Sequence, residues 1–313
     1  EIMPSLVGSE MCIRDRPHIV QYQGSKRSLA PQILQYFPNT FSRLIEPFAG
    51  MAAITMAVAY RGMSQKFVIN DLNSPLVELI RAVVEQPDAF VKEYTELWNA
   101  QFEYSDGFVQ HYYKIRSEFN EGQTDPAHMM YLLARCVKGS VRYGNNGLFN
   151  QSPDKRRHGT RPQTLLNNAR QISSLLKGKT TFLSEDYRQI LDTAVPGDIV
   201  YMDPPYQGVC SSRDNRYYAG IDFSHFVEAL ENLNRRNIDY IISYDGFCGD
   251  KHYGEDLPAH LNLSKILLTA GLSSQSLLLG KKEVTLEALY ISKGLQDIAI
   301  NIPVQKSLFS ECV

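Results

Sequence analysis

The sequence has few cysteines and no long apolar run. Its five cysteines, at positions 12, 136, 210, 248 and 312, lack the paired spacing of a zinc site or of a disulfide framework. Such a chain fits the reducing cytosol, and we expect a cytoplasmic protein. No apolar stretch approaches the roughly 18 residues that a membrane-spanning helix needs, so we expect no membrane segment.

The sequence also has no large excess of charge of either sign and no internal repeat. Its formal net charge is −2, so a nucleic-acid site would have to be a local patch. The content of 43% hydrophobic and 21% charged residues is typical of a soluble globular enzyme. A chain of 313 residues suits one elaborated domain or two.

Residues 1–16 do not fit a folded domain. They do not begin with methionine, follow no helical or strand period, and lack the apolar segment of a signal peptide. The string PSLVGSEMCIRD within them resembles a translated sequencing adapter. We therefore expect residues 1–16 to be a non-native leader, with a native start near Pro17 or His18.

Strand and helix signals alternate in two stretches of the chain, 17–86 and 178–298. Runs rich in β-branched residues predict strands at 44–46, 66–70, 180–183, 199–202, 238–243 and 286–292. Helices are predicted at 28–36, at 51–60, and after Ser74 as cap with Pro75 in the first turn. Residues 87–177 carry no strand signal and predict helices at 88–100, 108–119, 127–138 and 163–177. The sequence therefore predicts an α/β sheet with a helical second lobe.

Four of the predicted strands are followed by residues that suit a ligand site. These are Phe48-Ala49-Gly50, Asp71, Asp186-Tyr187 and Asp203-Pro204-Pro205-Tyr206. In an open α/β sheet, ligands bind outside the carboxyl ends of the strands. Asp71 follows Gly50 by 21 residues, close to the spacing of about 20 between a glycine turn and a ribose-binding acid.

The turn at Gly50 lacks the repeated glycines of a phosphate cradle, and the chain has no GK[ST] sequence. A nucleoside without phosphates fits better, which indicates S-adenosylmethionine. Each feature alone also has an ordinary structural explanation: Gly50 as a tight turn, Asp71 as an acid before a helix, Lys26 as a surface lysine, and DPPY as a plain turn. Their order along one predicted sheet edge favours a ligand site.

These motifs resemble those of the alpha group of DNA adenine methyltransferases, from about residue 19 to 295. The similarity lies in YQGSK at 22–26, EPFAG at 46–50, NDLNSPL at 70–76, SEDY at 184–187, DPPY at 203–206 and EALYIS at 287–292. The resemblance implies a Rossmann-like S-adenosylmethionine-dependent methyltransferase domain, formed by 17–86 and 178–298. It also implies that the helical insertion at 87–177 is the target-recognition domain.

The resemblance assigns roles to the residues that match the motifs. Tyr22 and Lys26 would touch the cofactor from the amino-terminal loop, and Phe48 and Gly50 would pack under its methionine portion. Asp71 would hold the ribose, Asp186 and Tyr187 would flank the adenine, and Asp203 would lie next to the cofactor. Ala52, Tyr22 and Ser25 stand where the family often has Gly, Trp and Gly, so we expect the cofactor to fit, more weakly.

The DPPY motif suits an amine that must be made nucleophilic, because the lone pair of the adenine amine is delocalised into the ring. The Asp203 carboxylate and the Pro204 carbonyl can accept its two hydrogens, while Pro204 and Pro205 hold the corner rigid. Tyr206 offers a face for the base to stack on. A duplex hides the amine, so the adenine must be flipped out. The transfer needs no metal.

The helical insertion contains an irregular polar loop at 139–160, which the resemblance assigns to recognition of double-stranded DNA. Candidates for base contacts are Arg142, Asn145 and Asn146. Predicted phosphate contacts are Lys155, Arg156, Arg157 and Arg161. The alternative is a solvated basic loop.

Two other functions stay open on the sequence alone, namely methylation of RNA or of a protein amide, and a catalytically silent DNA-binding module. The large insertion favours duplex DNA over the first. The intact DPPY motif, Lys26 and Asp71 favour an active enzyme over the second. For such an enzyme we expect a cytoplasmic, nucleoid-associated location and a bacterial or phage origin.

The tail at 299–313 contains a short motif, Gln305-Lys306-Ser307-Leu308-Phe309. It resembles the peptides by which bacterial replication and repair proteins dock on the sliding clamp. Leu308 and Phe309 would be exposed on a free terminus unless a groove buries them. The clamp is therefore a predicted partner, and the alternative is that the tail folds back onto the sheet.

Overall fold

The computed structural model describes residues 17–104, 108–205, 221–248, 251–252, 256–272 and 284–300. The expectations for the leader at 1–16, for Tyr206 and for the clamp-binding peptide at 305–309 lie outside these residues. Within the described ranges, no helix is long and apolar enough to cross a membrane. Nor do three or more His, Cys, Asp or Glu side chains there come together as a metal site.

In the part of the chain that the structure describes, eight strands form one mixed sheet. They are β1 (Arg43–Glu46), β2 (Phe67–Asn70), β3 (Thr180–Leu183), β4 (Asp198–Met202), β5 (Asp239–Cys248), β6 (Lys251–His252), β7 (Ser264–Leu272) and β8 (Val284–Ile291). Seven lie in the order β3-β2-β1-β4-β5-β8-β7, and β6 pairs with β5. The strands from β3 to β5 are parallel, whereas β8 and β7 pair antiparallel. The chain order reverses between β1 and β4, which is where open α/β sheets bind ligands.

Among the described residues, seven of the ten helices were predicted from the sequence and differ from the prediction at their ends, whereas the three at 187–192, 223–235 and 296–300 were not predicted. They are α1 (Ala30–Ile33), α2 (Ala53–Arg61), α3 (Ser74–Glu85), α4 (Pro87–Ala100), α5 (Val109–Asn120), α6 (Pro126–Arg135), α7 (Pro162–Leu176), α8 (Tyr187–Asp192), α9 (Phe223–Arg235) and α10 (Gln296–Ile300). The helix predicted at 28–36 is shorter, since α1 gives way to a 3-10 turn at Leu34–Tyr36. The predicted cap at Ser74 is wrong, because Ser74 is already helical and Asn73 holds the cap position. The Asn73 N–H is bound by the Asp71 carboxylate at 2.9 Å, which fixes this start.

The parallel strands are buried on both faces, as expected for a sheet covered by crossover helices. Leu44 of β1 and Ile199 of β4 belong to one hydrophobic core, while Ile45 and Val200, their neighbours in sequence, belong to the other. The first core is covered by α2, α3 and α7, and the second by α8 and α9. This two-sided covering confirms the predicted α/β fold.

The helical insertion packs on the same side as the first core, because α7 contacts α2, α3 and α4. The loop predicted at 139–160 is folded by antiparallel bridges that join Cys136 to Pro153 and Tyr143 to Phe149. The side chain of Asn120 donates to the Phe149 carbonyl at 3.0 Å and accepts from the Phe149 N–H at 2.8 Å. We call residues 143–149 the hairpin. Asn120 thus ties the hairpin to the end of α5.

Candidate active site

A cleft of about 780 Å³ opens at the carboxyl ends of the parallel strands. Its volume lies within the range of roughly 300–1,000 Å³ that is usual for small-molecule sites. The structure brings together in its walls all the residues predicted to contact the cofactor, namely Tyr22, Lys26, Phe48, Gly50, Asp71, Asp186, Tyr187 and Asp203. Pro204 and Pro205 line it as well, whereas Tyr206 lies outside the described residues.

Asp71 ties down the turn that follows β1. The Gly50 N–H donates to Asp71 Oδ2 at 2.9 Å, and the Asn73 N–H donates to Asp71 Oδ1 at 2.9 Å. Gly50 has a φ of +51°, and a Cβ there would lie 3.2 Å from Tyr22 Cε1. Burial raises the pKa of Asp71, and the two N–H donors limit that rise. The side chain therefore organises the floor of the cleft, a role that the motif alone did not indicate.

Asn70, which the sequence analysis did not single out, joins the ends of two other strands. Its Nδ2 donates to the carbonyls of Pro47 at 2.9 Å and Glu185 at 3.0 Å, and its Oδ1 accepts from the Glu185 N–H at 2.9 Å. The side chain is buried. It holds the segments after β1 and β3 on either side of β2. An amide closing the buried run FVI was the signal that could have identified it.

Lys26 is buried and forms an ion cluster with two partly buried carboxylates. Its Nζ lies 2.7 and 2.8 Å from the two oxygens of Asp203 and 3.0 Å from Oε1 of Glu287. Burial raises the pKa of Asp203 to about 6; Lys26 limits the rise, and Glu287 adds to it. Asp203 is therefore ionised at neutral pH and has an ammonium as its counter-ion. Glu287 belongs to the EALYIS motif on β8 but was not predicted as a site residue.

Glu46, the last residue of β1, is another buried acid of the cleft that the sequence analysis missed. The Thr55 N–H donates to Glu46 Oε2 at 2.9 Å, and the Thr55 hydroxyl donates to the same oxygen. Burial raises the pKa of Glu46 to about 7, the Thr55 hydrogen bonds oppose the rise, and the Asp203 charge adds to it. A carboxyl group in this condition is poised to ionise when a cation arrives.

The far end of the cleft is aromatic. The rings of Phe48 and Tyr187 lie 5.1 Å apart, and Tyr187 also contacts Phe226 of α9 at 6.1 Å. Asp186 caps α8 through the Arg188 N–H at 2.9 Å and pairs with Arg188 Nε at 2.9 Å. The start of α9 contributes three lining residues that sequence reasoning missed, Ile221, Asp222 and His225.

The residues predicted to bind DNA lie on the loop between α6 and α7, and none of these seven described residues lines the cleft. All are exposed, namely Arg142, Asn145, Asn146, Lys155, Arg156, Arg157 and Arg161. Arg157 is also bound, to Asp154 Oδ2 and to Gln21 Oε1, each at 2.9 Å. The hydroxyl of Tyr143 donates to Asn73 Oδ1 at 3.1 Å, so the hairpin is attached to the sheet edge beside Asp71.

Comparison with known proteins identifies the family of the chain. Residues 22–273 match the model for the D12 class N6 adenine-specific DNA methyltransferase. The chain is 27% identical to the Retron Ec67 DNA adenine methylase of Escherichia coli over 230 residues, which is 72% of this chain and 76% of that protein.

Two further relatives differ in length. The type II methyltransferase M1.LlaDCHI of Lactococcus lactis subsp. cremoris is 26% identical over 274 residues, 83% of this chain and 91% of its own. The DNA N-6-adenine-methyltransferase of Escherichia phage P1 is 25% identical over 242 residues, 73% of this chain but 30% of that protein. Because the family model covers most of the chain, the chain belongs to the D12 class of N6 adenine-specific DNA methyltransferases.

Proposed function

We propose that the cleft binds S-adenosylmethionine, and that Asp203 and Pro204 hold the exocyclic amine of a flipped adenine of duplex DNA against it. One observation carries this proposal. The turn after β1 and the Asp-Pro-Pro corner after β4 meet in one cleft, at the point where the strand order reverses. Ligand sites of open α/β sheets lie at this point.

The charges of the cleft fit a cationic nucleoside. Among its described lining residues, seven carry carboxyl groups: Glu46, Asp71, Glu185, Asp186, Asp203, Asp222 and Glu287. The lysine and arginine that line it, Lys26 and Arg188, each pair with one or two of these acids. A phosphate would meet mostly negative charge here, whereas a sulfonium and an ammonium group are stabilised. The Phe48–Tyr187 pair offers apolar surface to a purine.

The contacts proposed for the cofactor follow from these positions. Asp71 would hold the ribose, Phe48 and Gly50 would pack under the methionine portion, Tyr22 and Lys26 would contact it from the amino-terminal loop, and Asp186 and Tyr187 would flank the adenine. When bound, S-adenosylmethionine supplies an electrophilic methyl group. The side chain of Asp71 already holds the turn at Gly50, so cofactor affinity and the shape of the turn depend on the same carboxylate.

The chain's own residues prepare the amine. The Asp203 carboxylate accepts one amine hydrogen and the Pro204 carbonyl accepts the other, which makes the lone pair of the nitrogen available. The two prolines keep that carbonyl in place, so little reorganisation accompanies the development of charge. With a pKa of about 6, Asp203 is ionised at neutral pH and basic enough to take the proton that the methylated amine releases. Tyr206 stays a predicted stacking face for the base.

The recognition of DNA falls to residues 87–177 in this proposal. The base is flipped into the cleft because the amine is hidden in a duplex. Asn145 and Asn146 of the hairpin, and Arg142 just before it, are all exposed and are proposed to contact bases. The exposed cations Lys155, Arg156, Arg157 and Arg161 are proposed to contact phosphates.

Transfer of a tritiated methyl group from S-adenosylmethionine to duplex DNA tests the proposal, with RNA and protein as parallel substrates. We expect Asp203→Ala to reduce turnover by about a hundred- to a thousandfold, as loss of a preorganised polar contact to the reacting group does. Cofactor affinity should change far less. Asp192→Ala, at an exposed acid of α8, is the matched control. Near-native turnover of Asp203→Ala, or preferred transfer to RNA, would refute the assignment.

A further inference from the structure

A second cavity, of about 530 Å³, lies next to the catalytic cleft. Two chain segments, 21–23 and 139–140, lie between the two cavities, and we call them the joint. They are held together by a hydrogen bond from the Gln23 N–H to the Gly139 carbonyl at 2.9 Å. Gln21 and Gly139 line the second cavity, whereas their neighbours Tyr22 and Ser140 line the catalytic cleft. Anything that occupies the second cavity therefore sits beside the cleft in which the methyl transfer is proposed.

One wall of the second cavity is an aromatic cluster, formed by Trp98, Phe102 and His158. The Phe102 ring meets the Trp98 ring edge-on at 4.8 Å and stacks on the His158 ring at 5.4 Å, with 25° between the planes. Even so, 52% of Phe102 is exposed. A large aromatic side chain left open on a cavity wall is a ready surface for a planar ligand.

The charge of this cavity is opposite to that of the cleft. Arg157 and Arg161 line it, and none of its described lining residues is an acid. Behind Gly159, which also lines it, the Arg135 side chain is fully buried, and its Nε and Nη2 have no hydrogen-bond partner in the described structure. Arg161, and Arg157 beside its partner Asp154, favour a ligand that carries negative charge. The buried Arg135, which lies over the Phe108 ring, adds positive charge from behind Gly159.

The aromatic ring and the positive charge together describe the ligand. The exposed Phe102 ring suits a planar group, and Arg157 and Arg161 suit a negatively charged one. Planarity and negative charge are properties of a nucleotide.

We propose that the second cavity binds a nucleotide of the DNA other than the target adenine, with its base on Phe102 and its phosphate at Arg157 and Arg161. The inference rests on the proposed DNA methylation. A DNA nucleotide is favoured over a free one because residues 157–161 continue the loop assigned to phosphate contacts. Since every base has a π face, the cavity would hold DNA without reading its sequence.

The sequence provides a reporter for the test, because Trp98 is its single tryptophan. The full chain is titrated with duplex DNA and, separately, with deoxyadenosine monophosphate, while Trp98 fluorescence is recorded. We expect DNA to quench the fluorescence, and Phe102→Ala to weaken DNA binding about 5- to 140-fold, the loss of one stacked base. Tyr113→Ala, at an aromatic residue of α5 that is 43% exposed and lies outside the cavity, is the matched control and should bind DNA like the wild type.

Three outcomes would overturn the inference. They are equal DNA affinity of the Phe102 and Tyr113 variants, no change in Trp98 fluorescence with DNA, and saturation by the mononucleotide at concentrations at which DNA has no effect. Phe102→Leu, which keeps an apolar side chain, should lose most of the same affinity and guards against misfolding of the alanine variant. Methyl transfer by the wild type in the same samples separates the two proposals: if transfer proceeds while Phe102→Ala binds DNA normally, only the cavity assignment fails.

Discussion

Replacement of Glu46 by glutamine should make the protein gain stability relative to the wild type as the pH rises from 5 to 8, and should weaken cofactor binding. The carboxyl group is buried, and its pKa is raised from 4.5 to about 7. Between pH 4.5 and 7 the unfolded chain ionises this group while the folded chain keeps it protonated, so wild-type stability falls as the pH rises. Above pH 7 the loss is complete and amounts to about 3 kcal/mol, since one pKa unit corresponds to about 1.4 kcal/mol.

Glutamine cannot ionise, and its amide oxygen can still accept from Thr55. The amide adds two N–H donors, which costs about 1–3 kcal/mol at any pH if they stay unpaired. The informative quantity is therefore the change with pH. Relative to the wild type, Glu46→Gln should gain about 2–3 kcal/mol of unfolding free energy from pH 5 to pH 8. For a chain of this length that gain raises Tm by roughly 4 °C.

Thermal unfolding without cofactor, from pH 5 to pH 8, measures this gain. Glu93→Gln, at an exposed glutamate of α4, is the matched control. In parallel, calorimetry of S-adenosylmethionine binding in two buffers of different ionisation enthalpy should show proton release by the wild type at pH 7, because the cation lowers the pKa of Glu46. The variant should release fewer protons and bind at least about tenfold more weakly. A constant offset between the Glu46→Gln and wild-type stabilities across this pH range would refute the reasoning.

Other predictions concern the surroundings of the cleft. Glu287→Gln should shift the acidic limb of the pH–rate profile to lower pH, because the charge of Glu287 raises the pKa of Asp203. An unchanged position of the limb would contradict that coupling. Gly139→Ala should weaken both cofactor and DNA binding, because a Cβ there overlaps the Gln21 carbonyl and pushes segments 21–23 and 139–140 apart. Unchanged Kd values for both ligands would contradict this. Neutralising residues 155–157 together should reduce the salt dependence of DNA binding by up to three phosphate contacts, and a changed target sequence with the same salt slope would place them at bases. A peptide of residues 300–313 should bind purified sliding clamp at micromolar Kd, which calorimetry can test.

The sequence predicted the parallel strands and their ligand-bearing ends well, because short buried runs stop at residues that a sheet cannot continue. It did not predict β7, since Ser264–Leu272 pairs at the sheet edge and its pattern is set by its neighbour β8. Glu46 and Asn70 were passed over because their roles come from contacts with Thr55 and Glu185, distant in sequence. The same holds for Glu287, which is close to Lys26 only once β8 has inserted beside β5. In the loop at 139–160, the Asn146-Gly147 pair is the local signal that could have identified the hairpin. Its attachment to Asn120, 29 residues from Phe149, has no local signal.

The packing of α7 limits how much of the chain can be exchanged between two such enzymes in order to transfer the DNA sequence preference of one to the other. Leu165, Ala169 and Ile172 of α7 belong to the same core as the inner strands, so a transplant of the whole of 87–177 would also replace one wall of the sheet. The hairpin is a smaller cassette: Asn120 holds its end and Tyr143 anchors it near Asp71. A chimera that exchanges residues 144–148 and keeps Asn120, Tyr143 and Phe149 leaves the lining of the cofactor cleft unchanged. Changes of preference during divergence can thus accumulate in a few loop residues while the catalytic machinery stays constant.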